Sequence, residues 1–224
     1  YQEVPPLADR IGHRRSRLYA LGQLGLIREW QGRLDQAIAL FLDTEHGMEE
    51  DGDPVYAAYY RGYRGRVLAR LRSWDEAAAL LGEVVAVPGL APGMAGPLRL
   101  ALAVVEARRR RPEQAAMWAA GQPEPLGSVP TDLSRAFAEL DRGDGTFARE
   151  LIDRLGAMDR ETRRELLLDL VSNELEEECS AWHISADGAT VRGPDGARID
   201  LGRHAANARI LAFLARAGGG GRSH

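Results

Sequence analysis

The side chains that could catalyse a reaction or bind a metal are few and widely spaced in this sequence. Cys179 follows three glutamates, whose charge is expected to raise the pKa of the thiol and make it a poor nucleophile. No G-x-S-x-G, H-E-x-x-H or G-x-G-x-x-G motif is present. We therefore predict no active site, no metal site and no cofactor, and we expect a protein that is not an enzyme. The histidines lie apart from one another, without the close spacing of zinc ligands: His13, His46, His183, His204 and His224.

Lysine is absent, so all 29 basic residues are arginines. A Walker A loop needs a lysine on the nucleotide phosphates, and a Schiff-base enzyme needs a lysine amine. Neither site can be built from this chain. A GC-rich genome is sufficient to explain the bias, so the absence excludes chemistry without indicating a function.

The chain has 224 residues, long enough for one long domain or two short ones. Its composition, 45% apolar and 28% charged residues, is typical of an ordinary soluble protein. The net charge of −4 gives no indication of a nucleic-acid partner. A single cysteine excludes an internal disulfide framework and fits a reducing cytosol. No long apolar run or signal peptide is present, so we expect a cytoplasmic protein without membrane contact. Because the first residue is Tyr1, we also expect a fragment of a longer chain.

A short stretch of the sequence places small and aromatic residues at a spacing that recurs downstream. Gly25 and Ala37 let two helices approach closely, Gly32 lies where the chain reverses, and Phe41 fills the gap between the helices. This spacing resembles the tetratricopeptide (TPR) signature, a helix–turn–helix unit of about 34 residues. Arg28 stands where the signature has a large aromatic residue.

Three further copies follow, the last of them weaker. The small residues of the second helices are separated by 40, 38 and 33 residues, which favours a divergent array with loops between its units. The aligned positions are Gly25, Gly65 and Ala103 in the first helices, and Ala37, Ala77, Ala115 and Ala148 in the second. Chance similarity in an alanine-rich helical protein is the alternative.

The predicted fold is mainly α, a TPR-like superhelical array of antiparallel helix pairs with a small C-terminal β-hairpin and helix unit. We predict helical repeats over 1–158, an acidic capping or linker helix over 159–180, a strand and helix unit over 181–217 and a flexible tail over 218–224. The predicted helix pairs are 11–30 with 34–44, 55–71 with 73–87, 98–110 with 112–120, and 131–140 with 146–155.

Three segments are predicted as connectors. Residues 46–54 form an acidic loop, and it is not an EF-hand, because Tyr56 and Gly62 stand where calcium binding needs Gly and Glu. Residues 88–97 and 122–130 are rich in Pro and Gly.

Helix starts are also readable from the sequence. Ser73 with Glu76 predicts a capping box, Pro112 suits a first helical turn, and Asp159 can cap the acidic helix. That helix carries eight acids against three arginines, a pattern typical of a solvated face.

From Trp182 the pattern alternates in the manner of short strands joined by tight turns, followed by an amphipathic helix over 203–217. This order resembles the opening of a bacterial winged-helix domain of the response-regulator type. In that family a later recognition helix reads the major groove. No such helix is present here, so DNA is expected to bind only through a region absent from this chain. A small cap on the helical array is the equal alternative.

The TPR resemblance implies a binding groove lined by the first helix of each pair. It places six residues there, as candidates for binding a protein or peptide with carboxylates: Tyr19, Trp30, Tyr59, Arg66, Arg70 and Arg108. Packing between neighbouring helices is the alternative for Tyr19 and Tyr59, and a solvated helix end is the alternative for the arginine run 108–111. The leading hypothesis is a protein–protein interaction module, a scaffold or sensor, of a larger bacterial regulatory protein. The alternative is a transcription regulator with a truncated winged-helix domain.

Overall fold

The computed structural model describes residues 13–123, 125–181, 183–184, 190–193 and 198–200. In these residues the chain is mainly helical, with ten α-helices and three short β-strands. The helices are α1 (Arg14–Trp30), α2 (Leu34–Glu50), α3 (Pro54–Arg70), α4 (Trp74–Val85), α5 (Pro92–Arg108), α6 (Pro112–Ala119), α7 (Val129–Arg142), α8 (Thr146–Gly156), α9 (Arg160–Glu165) and α10 (Leu168–Ser180). The strands are β1 (His183–Ile184), β2 (Thr190–Arg192) and β3 (Arg198–Asp200).

Neighbouring helices pack on one another along the chain. From α1 to α6 each helix contacts the next, α7 packs on α5 and α6, and α8 packs on α7. Short turns join packed helices, so the two members of a pair run in opposite directions. The prediction of an array of helix pairs is confirmed to this extent.

The turns inside the four pairs share one backbone geometry. Each contains a residue with positive φ: Gly32 (73°), Arg72 (61°), Arg110 (61°) and Gly143 (93°). In every case its N–H donates to the carbonyl three residues earlier, and the next N–H donates to the carbonyl five residues before it, at 2.8–3.1 Å. This is the Schellman motif, which satisfies the free carbonyls of a helix end. The positive-φ residue precedes the small residue of each repeat by five positions.

The small residues allow the close helix contacts that the sequence predicts. A Cβ added at Gly25 would lie 2.5 Å from the Phe41 ring, and one at Gly65 would lie 2.9 Å from Leu81. Ala37 and Ala77 are completely buried. The role predicted for Phe41, filling the gap beside Gly25, is confirmed.

Two predicted connectors are partly wrong. Helix α2 continues to Glu50, because Gly47 and Met48 are buried and Gly47 lies against Leu18. Only the last residues of the predicted 46–54 loop form a turn. Helix α5 already begins at Pro92 and contains Pro97, because the packing of Leu98 on Gly62 holds this turn in place.

Asp159 caps α9 by accepting from the Thr162 N–H at 2.8 Å, as predicted. The Ser73 side chain makes no capping hydrogen bond, so the predicted capping box is wrong. Pro112 occupies the first turn of α6, as predicted. The third connector, 122–130, is shorter than predicted because α7 begins at Val129.

The acidic segment forms two helices rather than one. Leu167 has a φ of 62° and separates α9 from α10. The chain bends here because Leu166, Leu167 and Leu168 are all buried in the hydrophobic core. The prediction of a solvated acidic face is wrong for Glu174, which is only 2% exposed.

After α10 the strands form an antiparallel sheet in the order β1-β2-β3. Ile184 pairs with Val191, and Val191 pairs with Ile199. The predicted helix over 203–217, the tail over 218–224 and the first twelve residues lie outside the described residues.

Candidate functional site

A buried ion-pair cluster joins the first two helix pairs. The side chain of Glu29 in α1 is fully buried and accepts from Arg66 Nη2 through both oxygens, at 3.1 Å. Its Oε1 also accepts from Arg70 Nε at 3.0 Å. Arg66 lies over the ring of Tyr63, 4.8 Å from its centroid. Two arginines from α3 therefore share one carboxylate from α1.

Arg70 extends this cluster to the acidic segment. Its Nη1 donates to Asp169 of α10 at 3.1 Å, and its Nη2 donates to the carbonyl oxygen of Arg164 at 2.6 Å. One side chain thus bonds to α1, α9 and α10 together. The link is only partly exposed to solvent, so its charges are screened less than those of surface pairs.

Further arginines pair with the rest of α10. Arg108 donates to Glu174, and Arg72 lies 3.5 Å from the same carboxylate and 3.4 Å from Glu177. Near the end of α10, Arg110 donates to Glu178 at 3.3 Å. We name the residues Arg70, Arg72, Arg108 and Arg110 the arginine face. They come from the ends of α3 and α5 and from the turns that follow. Acids of α10 pair with all four, although the Arg72 side chain remains 55% exposed.

Apolar side chains fix the opposite side of α10. Leu168, Val171 and Leu175 are completely buried, and α10 packs on α7 and α8. Burying side chains of this size contributes about 1.5–3 kcal/mol each. Cys179 lies near the Gly145 carbonyl, and its pKa is raised mainly by burial, with smaller contributions from Glu178 and Glu176. The predicted direction of this shift is confirmed, but its main cause is different.

Trp30 lies in a part of this region that α9 and α10 do not cover. It is 47% exposed and lies between two cavities. The larger, about 380 Å³, is lined by Arg164, Asp169 and Asn173 among others. The smaller, about 210 Å³, lies beside Tyr63 and two acids of α9, Glu161 and Glu165. Trp30 is thus an exposed aromatic ring with polar and charged neighbours on both sides.

The structure places the six predicted groove residues in different environments. Tyr19 packs edge-on against Tyr56 with ring centroids 5.1 Å apart, and the Tyr59 hydroxyl lies 2.5 Å from that of Tyr63. Tyr19 of α1 thus packs against α3, whereas Tyr59 contacts Tyr63 of its own helix and lies partly buried against the hydrophobic core. Trp30 is exposed, whereas the guanidinium groups of the three arginines are paired with acids of this same chain: Arg66, Arg70 and Arg108.

Sequence reasoning missed the acids and two of the arginines. Glu29 stands in a mixed segment with no pattern that marks it as buried. Arg72 and Arg110 occupy turn positions where glycine is usual, and this mismatch with turn chemistry was the available signal. The carboxylate surplus of 159–180 was visible, but not the face it covers.

The described residues contain no group of three or more His, Cys, Asp or Glu side chains that could hold a metal ion. Nor do they include a helix with the length and apolar character required to cross a membrane. No protein-family model, curated protein or solved structure matches the chain.

Proposed function

We propose that this chain is a TPR-like protein-interaction module, a scaffold or sensor within a larger bacterial regulatory protein. The observation that carries the proposal is the arginine face, which already holds an acidic helix, α10, through four arginines. Stacked helix pairs bury their apolar sides against one another and leave extended surfaces of this kind for partners.

Trp30 is the proposed anchor for a partner. Tryptophan is enriched among the residues that dominate binding energy at interfaces, and Trp30 is 47% exposed. The cavities on both sides of its ring give a partner side chain places to enter. The partner segment would lie along α1 and α9, at the edge of the arginine face.

A set of labelled peptides tests this proposal on the full chain. The peptides are amphipathic helices that share one apolar pattern and carry Glu, Gln or Lys at the polar positions, and binding is followed by fluorescence anisotropy. Trp30→Ala should weaken the best binder at least about tenfold, as expected for an interface anchor. Met117→Ala is the matched control, because Met117 is another exposed large apolar residue, 57% exposed, on α6. Equal effects of the two variants, or no binding by any peptide, would contradict the proposal.

A transcription regulator is the second candidate, favoured by the three-stranded antiparallel sheet that follows α10. Residues 181–224 carry six arginines against three aspartates, whereas 159–179 carry eight acids against three arginines. We expect this chain to bind duplex DNA weakly, because a surplus of three positive charges beside a deficit of five gives little counterion release. Tight binding of a labelled duplex that falls steeply between low and moderate salt would favour this second candidate instead.

A further inference from the structure

We propose that the arginine face is a binding site for acidic amphipathic helices, and that α10 is its internal, exchangeable occupant. A partner helix then binds by displacing α10. This inference rests on the proposed function and deepens it, because it names the class of partner and the step that regulates binding.

The pairing between the two surfaces is the first argument. Acids spaced along α10 meet arginines from two successive helix ends: Asp169 meets Arg70, Glu174 meets Arg108 and Arg72, and Glu178 meets Arg110. Planar guanidinium groups in a row recognise carboxylates on a helix better than they recognise neutral or basic side chains. The partner is therefore acidic rather than basic.

The backbone of the two turn arginines is the second argument. Arg72 and Arg110 have φ of 61°, in the left-handed region where the first and fourth pairs use Gly32 and Gly143. A side chain is strained there, and the turn itself has no need of one, since its hydrogen bonds are the same with glycine. Such outliers point to a function outside the turn. Both arginines reach acids of α10, and Arg110 also donates to Asp141 of α7 at 3.1 Å.

The fit of α10 is imperfect, and this makes exchange feasible. Among the described residues, three buried atoms of α10 and the arginine face have neither a hydrogen bond nor an ion pair in the structure: Asp169 Oδ1, Ser172 Oγ and Arg110 Nη1. Glu174 Oε1 has only its 3.5 Å ion pair with Arg72. A buried polar atom without a partner costs free energy that a better-matched ligand recovers. The internal helix is thus not the strongest ligand that this face can hold.

The apolar side of α10 defines what else a partner needs. Leu168, Val171 and Leu175 are buried, so acids alone cannot replace the helix. The partner must carry apolar residues at i, i+3 and i+7, with acids at i+1, i+6 and i+10, the spacing of α10 itself. Because α10 is tethered, its effective concentration is on the order of millimolar, and a free helix must overcome this advantage.

The probe is a fluorescein-labelled peptide of residues 166–181 carrying Cys179→Ser, added to the full chain. Glu174→Gln in the chain weakens the attachment of α10 but leaves the arginine face intact. If the fraction of molecules with α10 displaced rises tenfold, the peptide should bind about tenfold more tightly. Glu176→Gln is the matched control, because Glu176 lies exposed on the same helix and makes no ion pair with the arginine face among the described contacts. A peptide with Asn and Gln in place of its acids should not bind.

The thiol of Cys179 reports displacement independently of binding. It is partly buried near the end of α10, and the sequence has no other cysteine. Its reaction with a disulfide reagent at fixed pH should accelerate several-fold when peptide is added, and also in Glu174→Gln without peptide. Arg72→Gly gives a second variant that relieves the strained turn, so it should raise the thiol rate without lowering the thermal midpoint.

The outcomes separate this inference from the proposed function. Peptide binding together with a faster thiol reaction supports displacement. Tight binding with an unchanged thiol rate overturns displacement and leaves the interaction module standing, with a partner site elsewhere. A faster thiol reaction in Glu174→Gln without peptide binding overturns the arginine face as a site for a partner helix. The comparison of Trp30→Ala with Met117→Ala then tests the proposed function by itself.

Discussion

Replacing Glu29 by Gln should destabilise the protein more than any surface charge change. The Glu29 side chain is fully buried and is the shared acceptor for Arg66 and Arg70. Gln keeps the shape but removes the negative charge, and its NH₂ group would face guanidinium donors. The Arg66 side chain, only 3% exposed, would then keep a positive charge in the interior without its carboxylate.

The magnitude follows from this burial. Breaking a buried ion pair by removing one partner costs about 3–5 kcal/mol, because the remaining charge is uncompensated. For a chain of this size, 1 kcal/mol lowers the thermal midpoint by about 2–4 °C. Glu29→Gln should therefore lower the midpoint by about 6–20 °C. An exposed pair is worth about 0–1 kcal/mol by comparison.

Differential scanning calorimetry of matched variants measures the effect. Glu50→Gln is the control, because it removes an exposed ion pair with Arg14, whose side chains are 69% and 52% exposed. The control should shift the midpoint by about 4 °C at most. The double change Glu29→Met with Arg66→Met should cost less than Glu29→Gln, since it leaves no lone charge from this pair. Equal midpoints for Glu29→Gln and Glu50→Gln would refute the reasoning.

Further predictions concern the helix contacts, the turns and two titrating groups. Ala77→Leu should cost about 1–3 kcal/mol in denaturant unfolding, because the added atoms force packed helices apart, and a neutral result would show a solvent-facing site. Gly32→Ala should cost about 1–2 kcal/mol in the same assay, because φ there is 73°; no loss would mean that the turn relaxes. Hydrogen bonds from Thr162 lower the pKa of Asp159 in the folded protein. The native protein should therefore be more stable than Asp159→Asn above about pH 4, and this difference should disappear as the pH falls through the lowered pKa. A stability difference between the native protein and Asp159→Asn that does not change with pH would contradict this. Burial raises the Cys179 pKa, so thiol modification should have its pH midpoint above about 8.5, and a lower midpoint would contradict the packing.

The helix pairs were predictable because their contacts leave a local signature. Two helices approach closely only where side chains are small, and this requirement places Gly25 and Ala37 at a fixed distance along the chain. Gly47 shows the limit of such reasoning. It suggested a loop, whereas the structure uses it for contact with Leu18 inside a helix, and the turn is formed by Gly52, with φ of 74°.

The environment of the candidate site could not be predicted from sequence. Arg70 and Asp169 are 99 residues apart, and an ion pair between such positions creates no periodic pattern. Charge counting identified an acidic segment but not what it covers. The break at Leu167 was hidden because a run of leucines fits a continuous helix as well as a bend into the core.

The long-range position of α10 also determines the order in which the molecule folds. The helix pairs close over short sequence separations, whereas the contacts of α10 with Arg70 and Arg72 span 99 and 105 residues. Closing so large a loop carries an entropic penalty that is repaid only after the array exists. The ion pairs of α10 with Arg70 and Arg72 should therefore form after the rate-limiting step. Asp169→Asn, which removes the pair with Arg70, should accelerate unfolding in a chevron analysis while leaving the refolding rate almost unchanged. During synthesis, Arg108 and Arg110 would stay uncovered until their partner acids in α10, 66 and 68 residues further along the chain, had also left the ribosome.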